Sequence, residues 1–183
     1  MDLKKLFEIQ KVLRDRINYN EPDRFNKLVL ALLVELGECA NEWRGFKFWS
    51  VNQLPHTSAV RVPCMMDEDK EFYNPLLEEY VDGLHFVFEI GIEIAEEIQF
   101  DVEDYFKEIA DEIRGKSQKS KTITEQFSYI FYLTTTVNYD FNFPYLFAAY
   151  YHLGEMLGFT WEQIEQAYFE KNKINHQRQE SGY

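Results

Sequence analysis

Apolar residues recur at intervals of three and four along almost the whole chain, a spacing that gathers them on one side of an α-helix rather than on one face of a strand. Leu3, Leu6, Phe7, Leu13 and Ile17, with Gln10 among them, trace the first such face. Phe25, Leu28, Val29, Leu32, Leu33, Leu36, Ala40 and Trp43 trace a second, which Gly45 is expected to end. From Asn52 to Asn74 the period fails, so a loop insertion is expected at about 52–75. Leu77, Tyr80, Val81, Leu84, Phe88, Gly91, Ala95 and Ile98 give a third helix behind Pro75. Val102, Tyr105, Phe106, Ile109 and Ile113 give a fourth, and GKSQKSKT at 115–122 reads as a surface connection. Ile123–Val137 and Pro144–Leu157 follow, although TTTV and the aromatics around Tyr129–Tyr132 leave a strand open for the first of them. The last helix starts at Thr160, where TWEQ fits a capping box, and runs towards Arg178. The expectation is one all-α domain over 1–183, a bundle of six or seven helices.

With 183 residues the chain can bury a core without staples, and 45% hydrophobic and 17% aromatic residues exclude disorder. A net charge of −13 repels polyanions, so a nucleic-acid polymer is not expected as a partner. A small phosphorylated ligand can still bind if carboxylates hold divalent cations that reverse the local sign. Cys39 and Cys64 belong to no metal-type spacing and read as free thiols of a reducing cytosol. No run approaches membrane-spanning length and no cleavable leader is visible, which makes a soluble cytoplasmic protein the expectation.

Carboxylates interrupt the two longest apolar stripes. Glu35 and Glu38, with Glu42 one turn on, share one side of the second helix, and Glu79 and Asp82 repeat the spacing on the third. An ExxE pair is ordinarily solvated surface. Here Glu35 lies between Val34 and Leu36, and Asp82 follows Val81, close to the buried stripes rather than opposite them. Two facing helices could therefore offer four carboxylates to a hard cation such as Mg²⁺. Glu89, Glu93, Glu96 and Glu97 lack such a partner set and are expected to form a solvated face, while Glu78 has no assignable role. On the last helix, Lys171, Asn175 and Arg178 align two cations and an amide, a face suited to phosphates.

Taken together, LFEIQKVL, LALLVELGECANEW followed by FKFWS, LLEEYVDGLHF and YFEKNKINHQRQESGY resemble the dimeric all-α dUTPase family, within the all-α nucleoside triphosphate pyrophosphatases of the MazG type. The resemblance implies Mg²⁺ ligation by Glu35, Glu38, Glu79 and Asp82, with the first pair orienting the attacking water. It implies phosphate binding by Lys171, Asn175, Arg178 and Tyr183, and base or sugar contacts from Gln10, Trp49 and Phe86. Gln10 would match uracil with both a donor and an acceptor. The implied reaction is hydrolysis of dUTP, and of dUDP, to dUMP by a homodimer, limiting uracil in DNA; the aromatics between 127 and 151 would suit its interface. Arg14 stands where such relatives often carry Asn, which bears on base specificity. The competing readings are a MazG-like or dCTP-type pyrophosphatase with another base preference, and a non-enzymatic helical interaction module. The insertion at 56–74 carries no readable function beyond a protein contact.

Overall fold

Four of the helices begin behind a side chain that accepts from a free N–H of the first turn. Asp2 accepts from the Lys5 amide ahead of α1 (Leu3–Ile17), and α2 (Arg24–Trp43) follows a short turn. Asn74 caps α3 (Pro75–Glu97), with Pro75 in the first turn where its missing N–H costs nothing. After α4 (Val102–Gly115), Thr122 and Glu125 form a capping box for α5 (Ile123–Thr136). α6 (Phe143–Met156) follows, and the expected box at Thr160 is formed with Gln163 ahead of α7 (Trp161–Glu180). The computed structural model describes residues 2–61, 70–99, 102–138 and 142–182. Cys64 and Tyr183 lie outside these.

The all-α expectation holds, and α5 resolves as a helix: Thr136 turns its hydroxyl back onto the Tyr132 carbonyl instead of pairing with a strand. Two details differ from the sequence reading. The second helix ends one residue early, because Arg44 rather than Gly45 takes the left-handed conformation, and a Cβ at Gly45 would collide with the Trp43 indole. Within the insertion, β1 (Ala59–Val60) pairs antiparallel with β2 (Phe72–Tyr73), a two-residue ribbon that leads directly into the Asn74 cap.

The core is organised around α3, which packs against α1, α2, α6 and α7. Tyr80, Val81, Leu84, Val87, Phe88, Ile90 and Ile94 are buried along it, so a single apolar stripe would not have sufficed. Phe7 from α1 meets Phe88 edge-on at 4.9 Å, and Tyr105, Phe143 and Phe147 extend the aromatic layer. Most of the described aromatics between 127 and 151 are spent here, inside the chain, with Tyr132 and Tyr145 left exposed. Larger exposed apolar groups sit elsewhere, at Leu30 and Val34 on α2 and at Phe48, Trp49, Val51 and Leu54 after it. Among the described residues, no helix is long and apolar enough to cross a membrane.

α3 and α6 are joined by a reciprocal clasp. The Tyr150 hydroxyl donates to the Tyr80 carbonyl at 2.7 Å, and the Tyr80 hydroxyl donates to the Tyr150 carbonyl at 3.1 Å. Each hydroxyl occupies the space of a missing Cβ: Tyr150 lies over Gly83 and Tyr80 over Gly154. A Cβ at Gly83 would also come within 3.5 Å of the Glu35 Cβ, so the same glycine lets α2 close on α3. Gly83→Ala should therefore cost about 1–3 kcal/mol through overpacking. In urea unfolding, the double variant with Tyr150→Phe should be less destabilised than the sum of the singles, because removing the hydroxyl makes room for the methyl; simple additivity would count against this packing.

Candidate active site

The close approach at Gly83 sets the acids of α2 against those of α3. One carboxylate oxygen from each of Glu35, Glu79 and Asp82 lies within 4.8 Å of the other two, and all three side chains are partly buried. Burial, followed by the charges of Asp82 and Glu38, pushes Glu35 up to about 7. Glu79 is likewise pushed up to about 7, by burial and then by Asp82, Glu38 and Glu35. Asp82 is raised by burial against the pull of Lys171. Glu38 is exposed and stands outside the close triad, although its charge acts on two of its members. An all-oxygen donor set held at like-charge repulsion is the chemistry that a hard divalent cation satisfies, so these residues fit Mg²⁺.

A basic face borders the triad. Lys171 on α7 places Nζ 2.5 Å from Asp82 Oδ2 and 3.2 Å from Glu78 Oε1. Glu78, which the sequence left without a role, also accepts from Arg61 at 2.9 Å, and Arg61 lies over the Tyr73 ring of the ribbon. One turn and two turns beyond Lys171, Asn175 and Arg178 continue along α7. Gln10, Glu35, Asp82, Phe86, Lys171, Asn175 and Arg178 all line one cavity of about 400 Å³, bringing together candidates from α1, α2, α3 and α7.

Trp49 is not brought there. It is 65% exposed on the segment after α2, its ring set edge-on to Phe46 and Phe48, and it does not line this cavity. Tyr183 lies beyond the described residues.

The inner end of the cavity departs furthest from the sequence reading. Gln10 is buried, and its carbonyl oxygen faces both the Tyr168 hydroxyl and His85 Nδ1, the latter at 2.7 Å. Its amide nitrogen donates to Glu89 Oε1 at 2.7 Å. Both lone pairs of its oxygen are thereby engaged, so Gln10 has a spare N–H but no spare acceptor. Glu89 is not a solvated acid: it is 7% exposed and accepts from Arg14 at 3.2 Å. Glu93 likewise pairs with Arg14 and with Arg24, and Glu96, though exposed, accepts from Arg14 at 2.8 Å. Of that expected face, only Glu97 is left as plain exposed surface. The physical reason was present in the spacing. Asp82, His85, Glu89 and Glu93 follow one another at three, four and four residues, so the stripe that carries a member of the triad also carries these acids inward. Their partners on α1, Arg14 above all, could not be paired with them from spacing alone.

His85, Glu89 and Tyr168 are thus residues at the site that sequence reasoning missed, and Arg14, singled out in the sequence for base specificity, is the ion-pair partner of Glu89. His85 is stacked on Tyr168 at 4.0 Å, and burial, with Lys171 nearby, pushes its pKa down to about 3. The imidazole is neutral across the physiological range.

No curated protein matches the chain. The model of the family described as dUTPase matches residues 2–63 and 66–183, nearly the whole length, including every helix that contributes to the cavity. An all-α chain that matches this family over nearly its whole length belongs to the dUTPase family and is a dUTP diphosphatase.

Proposed function

We propose that this dUTPase uses Mg²⁺ held by Glu35, Glu79 and Asp82, with Glu38 as a solvent-facing fourth acid, to convert dUTP to dUMP and diphosphate. The observation that carries this reading is the meeting, in one cavity, of the α2 and α3 carboxylates with the cationic face of α7. Bound Mg²⁺ would supply Lewis acidity at the phosphoryl oxygens and acidify water, chemistry that these carboxylates cannot supply themselves.

The remaining roles belong to the chain. Lys171, Asn175 and Arg178 hold the phosphate chain, Arg178 with a planar fork suited to phosphate oxygens. Lys171 stands at the border of the acids and the basic face, where it orients the α-phosphate towards the carboxylates. Glu35, half-buried, orients the attacking water and takes its proton on a carboxylate oxygen, with Glu38 steering that water from the solvent side. Water adds to the α-phosphorus, the bond from phosphorus to the bridging oxygen breaks, and diphosphate leaves with the negative charge that Lys171 and Arg178 stabilise. Phe86 packs against the base or deoxyribose. dUDP, with the same α-phosphorus and a shorter leaving group, is hydrolysed at the same site.

Product release from dUTP, dUDP, dCTP, dTTP and UTP, measured with and without Mg²⁺, tests the reading. Turnover of dUTP and dUDP is expected to exceed that of the others and to vanish with a chelator. Equal rates on dCTP would point to a pyrophosphatase of other base preference, and metal-independent turnover would remove Glu35, Glu79 and Asp82 from the mechanism.

The carboxylate shifts give a pH dependence with a definite sign. Glu35 and Glu79 hold protons in the folded, metal-free chain up to about 7, so their ionisation works against folding as pH rises from their ordinary range through that value. A cation displaces those protons, so its stabilisation grows in the same direction. The rise in Tm produced by Mg²⁺ should accordingly be larger at about pH 8 than at about pH 6; an equal rise at both would show that these acids are not its ligands.

The exposed apolar groups on α2 and the segment after it support assembly as a homodimer, with Leu30 and Val34 in the interface. Sedimentation equilibrium should give twice 22.0 kDa, and Val34→Glu should return the mass to that of one chain.

A further inference from the structure

The hydrogen-bond network behind the cavity has only one consistent polarity. Gln10 Oε1 can accept but not donate, so the hydrogen between it and His85 belongs to His85 Nδ1. A neutral imidazole with a protonated Nδ1 carries a bare lone pair on Nε2. The opposite arrangement would require Gln10 to turn its oxygen towards the Glu89 carboxylate. Glu89 forbids that turn by accepting from Gln10 Nε2 at 2.7 Å, and it is itself anchored by Arg14. The Tyr168 hydroxyl also donates to Gln10 Oε1, and the Tyr168 ring stacks on the imidazole, fixing its plane.

His85 Nε2 is buried and has no hydrogen-bond partner among the described residues, and His85 lines the cavity together with Phe86 and Gln10. A buried acceptor with nothing to accept is unfavourable in the free protein and is expected where a ligand supplies the donor. We propose that His85 Nε2 accepts the imide N3–H of the uracil ring, and that Glu89, acting through Gln10, is the positioning residue that keeps this nitrogen an acceptor. Cytosine presents a lone pair at N3, so two acceptors would face each other and the base would be refused. Thymine has the same imide as uracil, so His85 separates imide bases from cytosine and leaves discrimination at C5 to other groups. The depressed pKa of His85 keeps the acceptor available at every pH at which the enzyme would work.

This inference rests on the dUTP reading, and its test separates the two. kcat/KM is measured on dUTP and dCTP with Mg²⁺ for the wild type, His85→Phe, which keeps the stacked ring, and Glu89→Gln, which releases the constraint on Gln10. The dUTP-to-dCTP ratio should fall by about ten- to hundredfold in His85→Phe and by a smaller factor in Glu89→Gln, with the loss on the dUTP side. In ¹⁵N-histidine NMR of the wild type, His85 should show a protonated Nδ1 and a bare Nε2, and Glu89→Gln should mix the two tautomers. A wild type without preference for dUTP would overturn the base reading itself. A preference that survives both substitutions, or an Nε2-protonated His85 in the wild type, would overturn the role of His85 while leaving the dUTP reading standing. Should His85→Phe fail to fold, Glu89→Gln and the wild-type spectrum decide the matter.

Discussion

The distance between α2 and α3 governs everything else in this molecule. Carboxylates on separate helices cooperate only when the backbones come close, and here they do so over Gly83, where no side chain intervenes and the Tyr150 hydroxyl fills the gap from below. The clasp between Tyr80 and Tyr150 then holds α6 beneath the same point. Asp82 immediately precedes that glycine and Glu79 lies one turn before it, so the rigidity of the packing is passed directly to the acids. A helix buried on most sides is the appropriate carrier, since its side chains cannot relax away from one another when like charges repel.

Two charge systems of opposite character share α3. Burial raises the pKa of Glu35, Glu79 and Asp82, and for Glu35 and Glu79 the neighbouring acids add to it. Two to three turns beyond Asp82, Glu89 and Glu93 are paired with Arg14 and Arg24, whose charges work against the burial that raises Glu89. The first system is left incomplete towards the cavity, as a site for cations must be. The second is complete within the protein and serves as a support that fixes the orientation of a buried amide.

Much of this was legible in the sequence because it depends on local spacing. The helices, the Thr160 capping box, the alignment of Glu79 with Asp82 and the face of Lys171, Asn175 and Arg178 all follow from the 3.6-residue period. What could not be read depends on which helix faces which. Glu89 has the composition of a surface acid and becomes buried only because Arg14, 75 residues earlier, arrives opposite it. Gln10 was recognisable as a site residue, but its polarity is set by His85, Tyr168 and Glu89 together. Trp49 illustrates the reverse case: a residue selected by resemblance lies on an exposed segment away from the cavity, because the chain turns outward after Arg44.

Glu78 has two cationic neighbours of very different origin. Arg61 reaches it from the ribbon of the insertion and Lys171 from the last helix, and both pull its pKa down, although its charge still raises Asp82 one turn on. The insertion thereby acts on the cavity without entering it. Arg61 donates to both oxygens of Glu78, at 2.9 and 3.4 Å, while Lys171 is shared between Glu78 and Asp82, so a residue beside the ribbon belongs to the ion-pair chain that ends on the triad.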